Sequence, residues 1–134
     1  MDRNFEWRKA MSTNGQNFTT EENLYKRLDE LASELDHDFT VEISQLYIQD
    51  APLQIEAIAE ALKGKNTNAL IQSAHKLKGS SLNIGAACLG SICLRLEQMG
   101  RSGLPYEEAG AVQDLRTEFD VVKTLLEEYI KKGS

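Results

Sequence analysis

The stretch TNALIQSAHKLKGSSLNIG, residues 67–85, sets apolar or small residues at Leu70, Ala74, Leu77, Ser81 and Ile84, in steps of four, three, four and three. That is the period of one helical face, with Gly85 as a stop signal and Thr67 placed to cap the start. The same period recurs on both sides. Upstream, Ile43, Tyr47, Ala51, Ile55, Ile58 and Leu62 form a longer seam that ends at the turn KGKN, residues 63–66. Pro52 falls inside it, and its missing N–H and its clash with the carbonyl four residues back predict a kink or break near Gln49 or Asp50. Earlier still, Leu24, Leu28, Leu31 and Leu35 mark a helix over about residues 21–35, with Thr20 as the expected N-cap and Glu21 and Glu22 in its first turn. Downstream, Leu89, Ile92 or Cys93, and Leu96 carry a helix from about Ala86 to Met99, closed by GRSGLP. The final seam, Val112, Leu115, Phe119, Val122, Leu126 and Tyr129, is the most regular.

No segment reads as an alternating strand. One-sided helices joined by short polar turns bury their stripes only against one another, so the expected fold is all-α: an antiparallel four-helix bundle with an additional short N-terminal helix across or beside it. Residues 1–20 are polar, lack a sustained period and contain Asn-Gly, and are expected as a flexible arm ahead of a bundle domain at 21–131.

A chain of 134 residues, 41% hydrophobic and 27% charged, suits one globular domain with a core of its own. Its formal net charge of −6 argues against a broad nucleic-acid surface, because such surfaces cluster Lys and Arg to neutralise phosphates. A single local phosphate site is still compatible with that charge. No run is apolar enough for a membrane span or a secretory signal, so no membrane role is expected and a cytoplasmic protein is. Cys88 and Cys93, five apart on a helix, point about 140° from each other and are expected as buried, reduced thiols. Neither a CxxC pair nor the inward carboxylates and paired Glu-x-x-His motifs of a di-iron bundle are legible, so no metal site is expected.

Within the quoted helix, Ile71, His75, Lys78, Gly79 and Leu82 share a face beside the core seam, which should leave His75 accessible. A glycine inside a helix costs about 0.8–1.0 kcal/mol relative to alanine, and no turn geometry asks for one at Gly79. Its absent side chain clears the approach to the imidazole. Lys78 adds a mobile, solvent-facing ammonium suited to phosphate oxygens. An imidazole nucleophile, a cation and a cleared approach make a coherent phosphoryl site, whereas a solvated His beside a solvated Lys is the plain alternative. His37, between acidic residues in LDHDFT, lacks the lysine and glycine and reads as a solvated turn residue. Ser80 and Ser81 read as small packing residues rather than nucleophiles, since no Asp-His pair orders itself around them.

The string AHKLKGSS, followed by NIGA and LGSICLRLEQMGR and preceded by FTVEISQLYIQDAPLQIEAIAEAL, resembles the histidine-containing phosphotransfer (HPt) family, whose signature is His-x-Leu-Lys-Gly-Ser-Ser. The resemblance spans about residues 24–130. It implies a four-helix bundle that passes a phosphoryl group between the receiver-domain aspartates of a hybrid histidine kinase and a response regulator. Carried over to this sequence, His75 is the phospho-acceptor, Lys78 steadies the phosphoryl group and Gly79 opens access. Ile71 and Leu82 would form an apolar docking rim, with Lys76 adding positive charge. The chain has no nucleotide loop of the GxxxxGK[ST] or GxGxxG type, so autokinase activity is not expected. The resemblance implies that Mg²⁺ sits on the receiver, with no cofactor on this chain, which is expected to be a monomer. A helical adaptor that binds receivers without phosphotransfer is the competing expectation.

Overall fold

Each apolar seam becomes a helix in the computed structural model, which describes residues 19–103 and 109–132. Among the described residues there are five helices and no strand: α1 (Thr20–Glu34), α2 (His37–Lys63), α3 (Thr67–Ile84), α4 (Ala87–Ser102) and α5 (Ala109–Lys132). The expectation of a flexible arm at residues 1–20 falls almost wholly outside them.

Two caps lie one residue earlier than expected. Thr19 is the N-cap of α1, its hydroxyl accepting the Glu22 N–H at 3.1 Å. Thr20 is then the first helical residue, and its hydroxyl instead donates to Glu118 Oε2 on α5 at 2.7 Å. Asn66 caps α3 in place of Thr67, accepting the Ala69 N–H at 3.1 Å, because its extended backbone aims the amide oxygen at that donor. Of the kink or break expected near Gln49 or Asp50, the break does not occur: α2 runs through Pro52 as one helix of 27 residues. Buried Ala51 and Ile55 flank the proline and commit both halves to the same core face.

Helices α2 to α5 pack in a closed ring of neighbours, α2 on α3, α3 on α4, α4 on α5 and α5 on α2. Cross-links fix their antiparallel sense: His37 at the start of α2 lies 3.3 Å from the Tyr129 hydroxyl near the end of α5, and Arg116 pairs with Glu56 further along. Helix α1 touches all four others, lying over the α3–α4 turn, where Arg27 Nε donates to the Asn83 carbonyl at 2.9 Å. The core combines Leu24 and Leu28 of α1 with Tyr47, Ile55 and Ile58 of α2, Leu70, Ala74, Leu77 and Ile84 of α3, Leu89, Cys93 and Leu96 of α4, and Leu115, Val122 and Leu126 of α5. Cys88 and Cys93 are buried and form no disulfide, and burial pushes the Cys93 thiol up to about 12.

Two glycines of α4 bring α3 close. A Cβ on Gly90 would meet Leu82 Cδ2 at 2.7 Å, and one on Gly100 would meet Ile71 Cγ1 at 2.8 Å. The two-residue turn between these helices relies on Gly85, whose φ of +92° closes the end of α3 with the Ala86 N–H bonded to the Ser81 carbonyl at 2.8 Å. A Cβ there would lie 2.5 Å from Arg27 Cβ and 3.0 Å from the Asn23 carbonyl of α1. Gly85→Ala should therefore lower stability by about 1–3 kcal/mol, through left-handed strain and overpacking together. A urea midpoint equal to that of the parent protein would show that the turn tolerates a side chain.

Candidate functional site

The imidazole of His75 stands on the α3 face turned toward α4, with its side chain 65% exposed. Its Nδ1 lies 3.1 Å from Oε2 of Glu97, one turn before the end of α4. Lys78 Nζ donates to Glu97 Oε1 at 2.7 Å, and Arg101 Nη2 donates to Oε2 at 2.9 Å. One carboxylate thus gathers an imidazole, an ammonium and a guanidinium, while its own side chain is only 6% exposed.

Charge follows from this contact set. The hydrogen bond from Lys78, reinforced by Arg101 and His75, outweighs the opposing effect of burial and holds the Glu97 carboxyl down at about 2. Glu97 is therefore ionised at neutral pH, and an ionised carboxylate only accepts hydrogen bonds. The imidazole nitrogen facing it must carry the proton. In the neutral ring this leaves the lone pair on Nε2, so Glu97 sets both the tautomer and the ring orientation of His75.

The sequence-derived residues divide accordingly. His75 is accessible as expected. Lys78 is not the solvent-facing, mobile ammonium expected: its side chain is 21% exposed and tied to Glu97, because the carboxylate beneath it has lost most of its water and needs a partner. Gly79 is exposed, and among the described residues a Cβ added there meets nothing within 4 Å, so no described helix packs against it. Leu82 is 51% exposed above Gly90. Ile71 is half-buried against Gly100, and much of it already serves the α3–α4 contact. Lys76 is exposed but about 100° round the helix from His75. His37 is exposed at the start of α2, its ring 5.5 Å from that of Tyr129. Ser81 is buried and shares a 2.7 Å hydrogen bond with the Tyr47 hydroxyl, while Ser80 bonds back to the Leu77 carbonyl. No group of three or more His, Cys, Asp or Glu among the described residues is arranged to hold a metal ion.

Sequence reasoning missed Glu97. Its signal was an acid in the row Cys93, Glu97, Gly100, which follows the apolar seam of α4, with Arg101 four residues on. Only the pairing of α3 with α4 shows which neighbour that acid faces.

Comparison with known proteins bears on the same residues. The family model for the Hpt domain matches residues 42–131, from early α2 through most of α5. The chain belongs to the Hpt domain family. Among Hpt proteins, the histidine-containing phosphotransfer protein 4 of Arabidopsis thaliana is 29% identical over 109 residues, covering 80% of this chain and 86% of that protein. Two solved structures share the fold. Histidine-containing phosphotransfer protein B from Pseudomonas aeruginosa matches with a TM-score of 0.75 at 24% identity, over 80% of this chain and 92% of that one. A rice protein described as a histidine-containing phosphotransfer protein matches at 0.73 and 20% identity, over 94% of each. Hpt membership makes this chain a phosphocarrier with a histidine-phosphotransfer role in phosphorelay signalling.

The Glu97 charge has a consequence for stability. Its folded value of about 2 lies below the ordinary 4.5, so its contribution is fully present above about pH 4.5 and is lost as the pH falls toward 2. Glu97→Gln should be less stable than the parent at neutral pH, with the gap narrowing across that window. Denaturant midpoints at a series of pH values test this, and a gap independent of pH would remove Glu97 as the titrating group.

Proposed function

We propose that His75 is the residue of this Hpt protein that carries the phosphoryl group, taking it from one receiver-domain aspartate and yielding it to another. The observation that carries this reading is the exposed imidazole whose Nδ1 is fixed by an ionised Glu97, so that its lone-pair nitrogen is Nε2. Among the described residues, the other histidine, His37, is engaged by the Tyr129 hydroxyl and ring rather than by a carboxylate. Lys78, held beside the ring by Glu97, keeps further N–H donors for the phosphoryl oxygens, and Lys76 and Arg101 add positive charge in a chain of net charge −6.

Phosphoryl transfer passes through a loose transition state, so alignment and charge dominate its catalysis. This chain supplies the aligned nucleophile. The receiver supplies the aspartate and its Mg²⁺, and the protein acts without autokinase activity of its own. Docking uses Leu82 together with an apolar stripe on α2, where Leu46 and Leu53 are exposed seven residues apart. Tyr47 and Ser81 touch across the antiparallel α2–α3 pair, and six residues on from one and back from the other bring Leu53 level with His75. Between the helices a groove lined by Ile43, Leu46, Asp50, Ser80 and Asn83 continues the stripe. No described helix is long and apolar enough to cross a membrane, and a cytoplasmic phosphorelay is the setting that fits this reading.

A phosphorylated receiver should label the parent protein with an acid-labile, alkali-stable phosphate and leave a folded His75→Gln variant unlabelled. Normal labelling of that variant would sink the assignment. Gly79 separates shape from stability. With open space around its Cβ position, Gly79→Ala should stabilise the protein by about 0.4–1 kcal/mol, whereas Gly79→Gln should stay folded but transfer more slowly by crowding the ring. Full transfer by Gly79→Gln would show that the glycine does not clear the approach.

A further inference from the structure

The contact between His75 Nδ1 and Glu97 constrains the phosphorylated state as well as the free one. When Nε2 attacks phosphorus, its lone pair forms the P–N bond while the bond from phosphorus to the receiver's aspartyl oxygen breaks and its electrons return to that carboxylate. The ring still holds its Nδ1 proton and has become a cation. In water such a ring sheds that proton as the pH rises, and the phosphohistidine turns inert, because P–N cleavage would then expel an imidazolate rather than neutral imidazole. Here the proton points at a carboxylate 3.1 Å away that is 6% exposed.

We propose that Glu97 retains the Nδ1 proton on phosphorylated His75, so that the phosphoryl group stays in its transferable, cationic-ring form above neutral pH and leaves again without proton exchange with solvent. The inference rests on His75 being the phosphoryl carrier. Glu97 is a positioning residue, since it acts through the ring and does not touch phosphorus. In the return step the incoming aspartate oxygen bonds to phosphorus, the P–N pair goes back to Nε2, and the neutral Nδ1–H tautomer facing Glu97 is restored.

A carboxylate is suited to this and an amide is not. Ionised Glu97 can only accept, so it favours a protonated Nδ1, whereas a glutamine could turn its N–H toward an unprotonated Nδ1 and stabilise the inert form. The charged and titratable groups gathered on Glu97 are Lys78 and His75 from α3 and Arg101 from α4, with the Cys93 thiol of α4 within electrostatic reach. Lys78 and Arg101 keep the carboxylate ionised, and the thiol is neutral across the working range, pushed up to about 12. Exposed Lys76, next to His75 on α3, adds charge without a contact to Glu97.

The test loads the ring chemically and needs no receiver. The full chain and its Glu97→Gln variant are phosphorylated with phosphoramidate, and loss of phosphohistidine is followed by phosphorus NMR from pH 6 to 9, with ring nitrogen shifts recorded in parallel. In the parent protein Nδ1 should keep the shift of a protonated nitrogen at pH 8. The pH at which dephosphorylation slows should lie about one unit lower in Glu97→Gln, the displacement that loss of a charge at this distance produces. A merely structural role for Glu97 would change rates without moving that profile, and superimposable profiles overturn the proposal. Should Glu97→Gln fail to fold in a thermal melt, the parent spectrum decides alone, and an unprotonated Nδ1 at pH 8 overturns it. Failure of a phosphorylated receiver to label the parent protein would instead count against His75 as carrier, a result separable from the ring chemistry.

Discussion

Glu97 has lost nearly all of its water, and what replaces that water is an ammonium at 2.7 Å, a guanidinium at 2.9 Å and an imidazole at 3.1 Å. A buried carboxylate without such partners would be strongly destabilising, so the requirement to compensate this charge organises everything around it. It draws Lys78 off the solvent, pins the plane of His75 and determines which ring nitrogen carries a proton. The arrangement depends on α3 and α4 lying close together, which Gly90 and Gly100 permit by offering backbone where Leu82 and Ile71 come down. A side chain at either glycine would have to displace Leu82 or Ile71 of α3, and any resulting separation of the two helices would lengthen the Lys78 and His75 contacts to Glu97 while leaving the Arg101 contact within α4 intact.

The rest of the bundle keeps that helix pair in register. Tyr47 and Ser81 satisfy each other's hydroxyls inside the core, which ties α2 to α3 at one level and sets where the exposed leucines of α2 stand relative to His75. Glu118, fully buried on α5, accepts from Thr20 and so ties the start of α1 to the middle of the bundle. Buried polar pairs of this kind add little net stability, but a shifted register would leave them unsatisfied, and they thereby favour one alignment over its neighbours.

The same economy shapes the site. His75 and Arg101 are the two members of the Glu97 cluster whose side chains are mostly exposed while a buried group holds them, and of the two only His75 carries a nucleophile. In the transfer proposed for His75, exposure lets a receiver reach Nε2, and fixation removes the need to select a rotamer and a tautomer at each encounter. Gly79 continues the logic on the ring's other flank, where nothing stands within 4 Å of the missing Cβ.

Periodicity was enough to read five helices and most of their buried faces, because apolar spacing near 3.6 residues is a local property of the chain; Leu35, expected as the last residue of the first seam, is instead the 55% exposed C-cap of α1, where the backbone has left the helix. Leu70, Ala74, Leu77, Ser81 and Ile84 face the core as that period requires. The motif around His75 was equally legible, since histidine, lysine and glycine sit within two helical turns of one another. Caps were read one residue late at Thr20 and Thr67, because two adjacent residues in each case can supply an oxygen and only backbone direction chooses between them. Of the kink or break expected at Pro52, the break does not appear, since core contacts on both sides hold α2 together. Glu97 could not be assigned from spacing alone: it lies 22 residues from His75, on another helix, and its meaning depends on the rotation and height of α4 against α3. For that reason Lys78 read as a free surface charge until packing showed the carboxylate beneath it. Local sequence determined which residues are candidates for the chemistry, and the tertiary contact between two helices decided the charge of Glu97 and, through it, which His75 nitrogen faces a carboxylate.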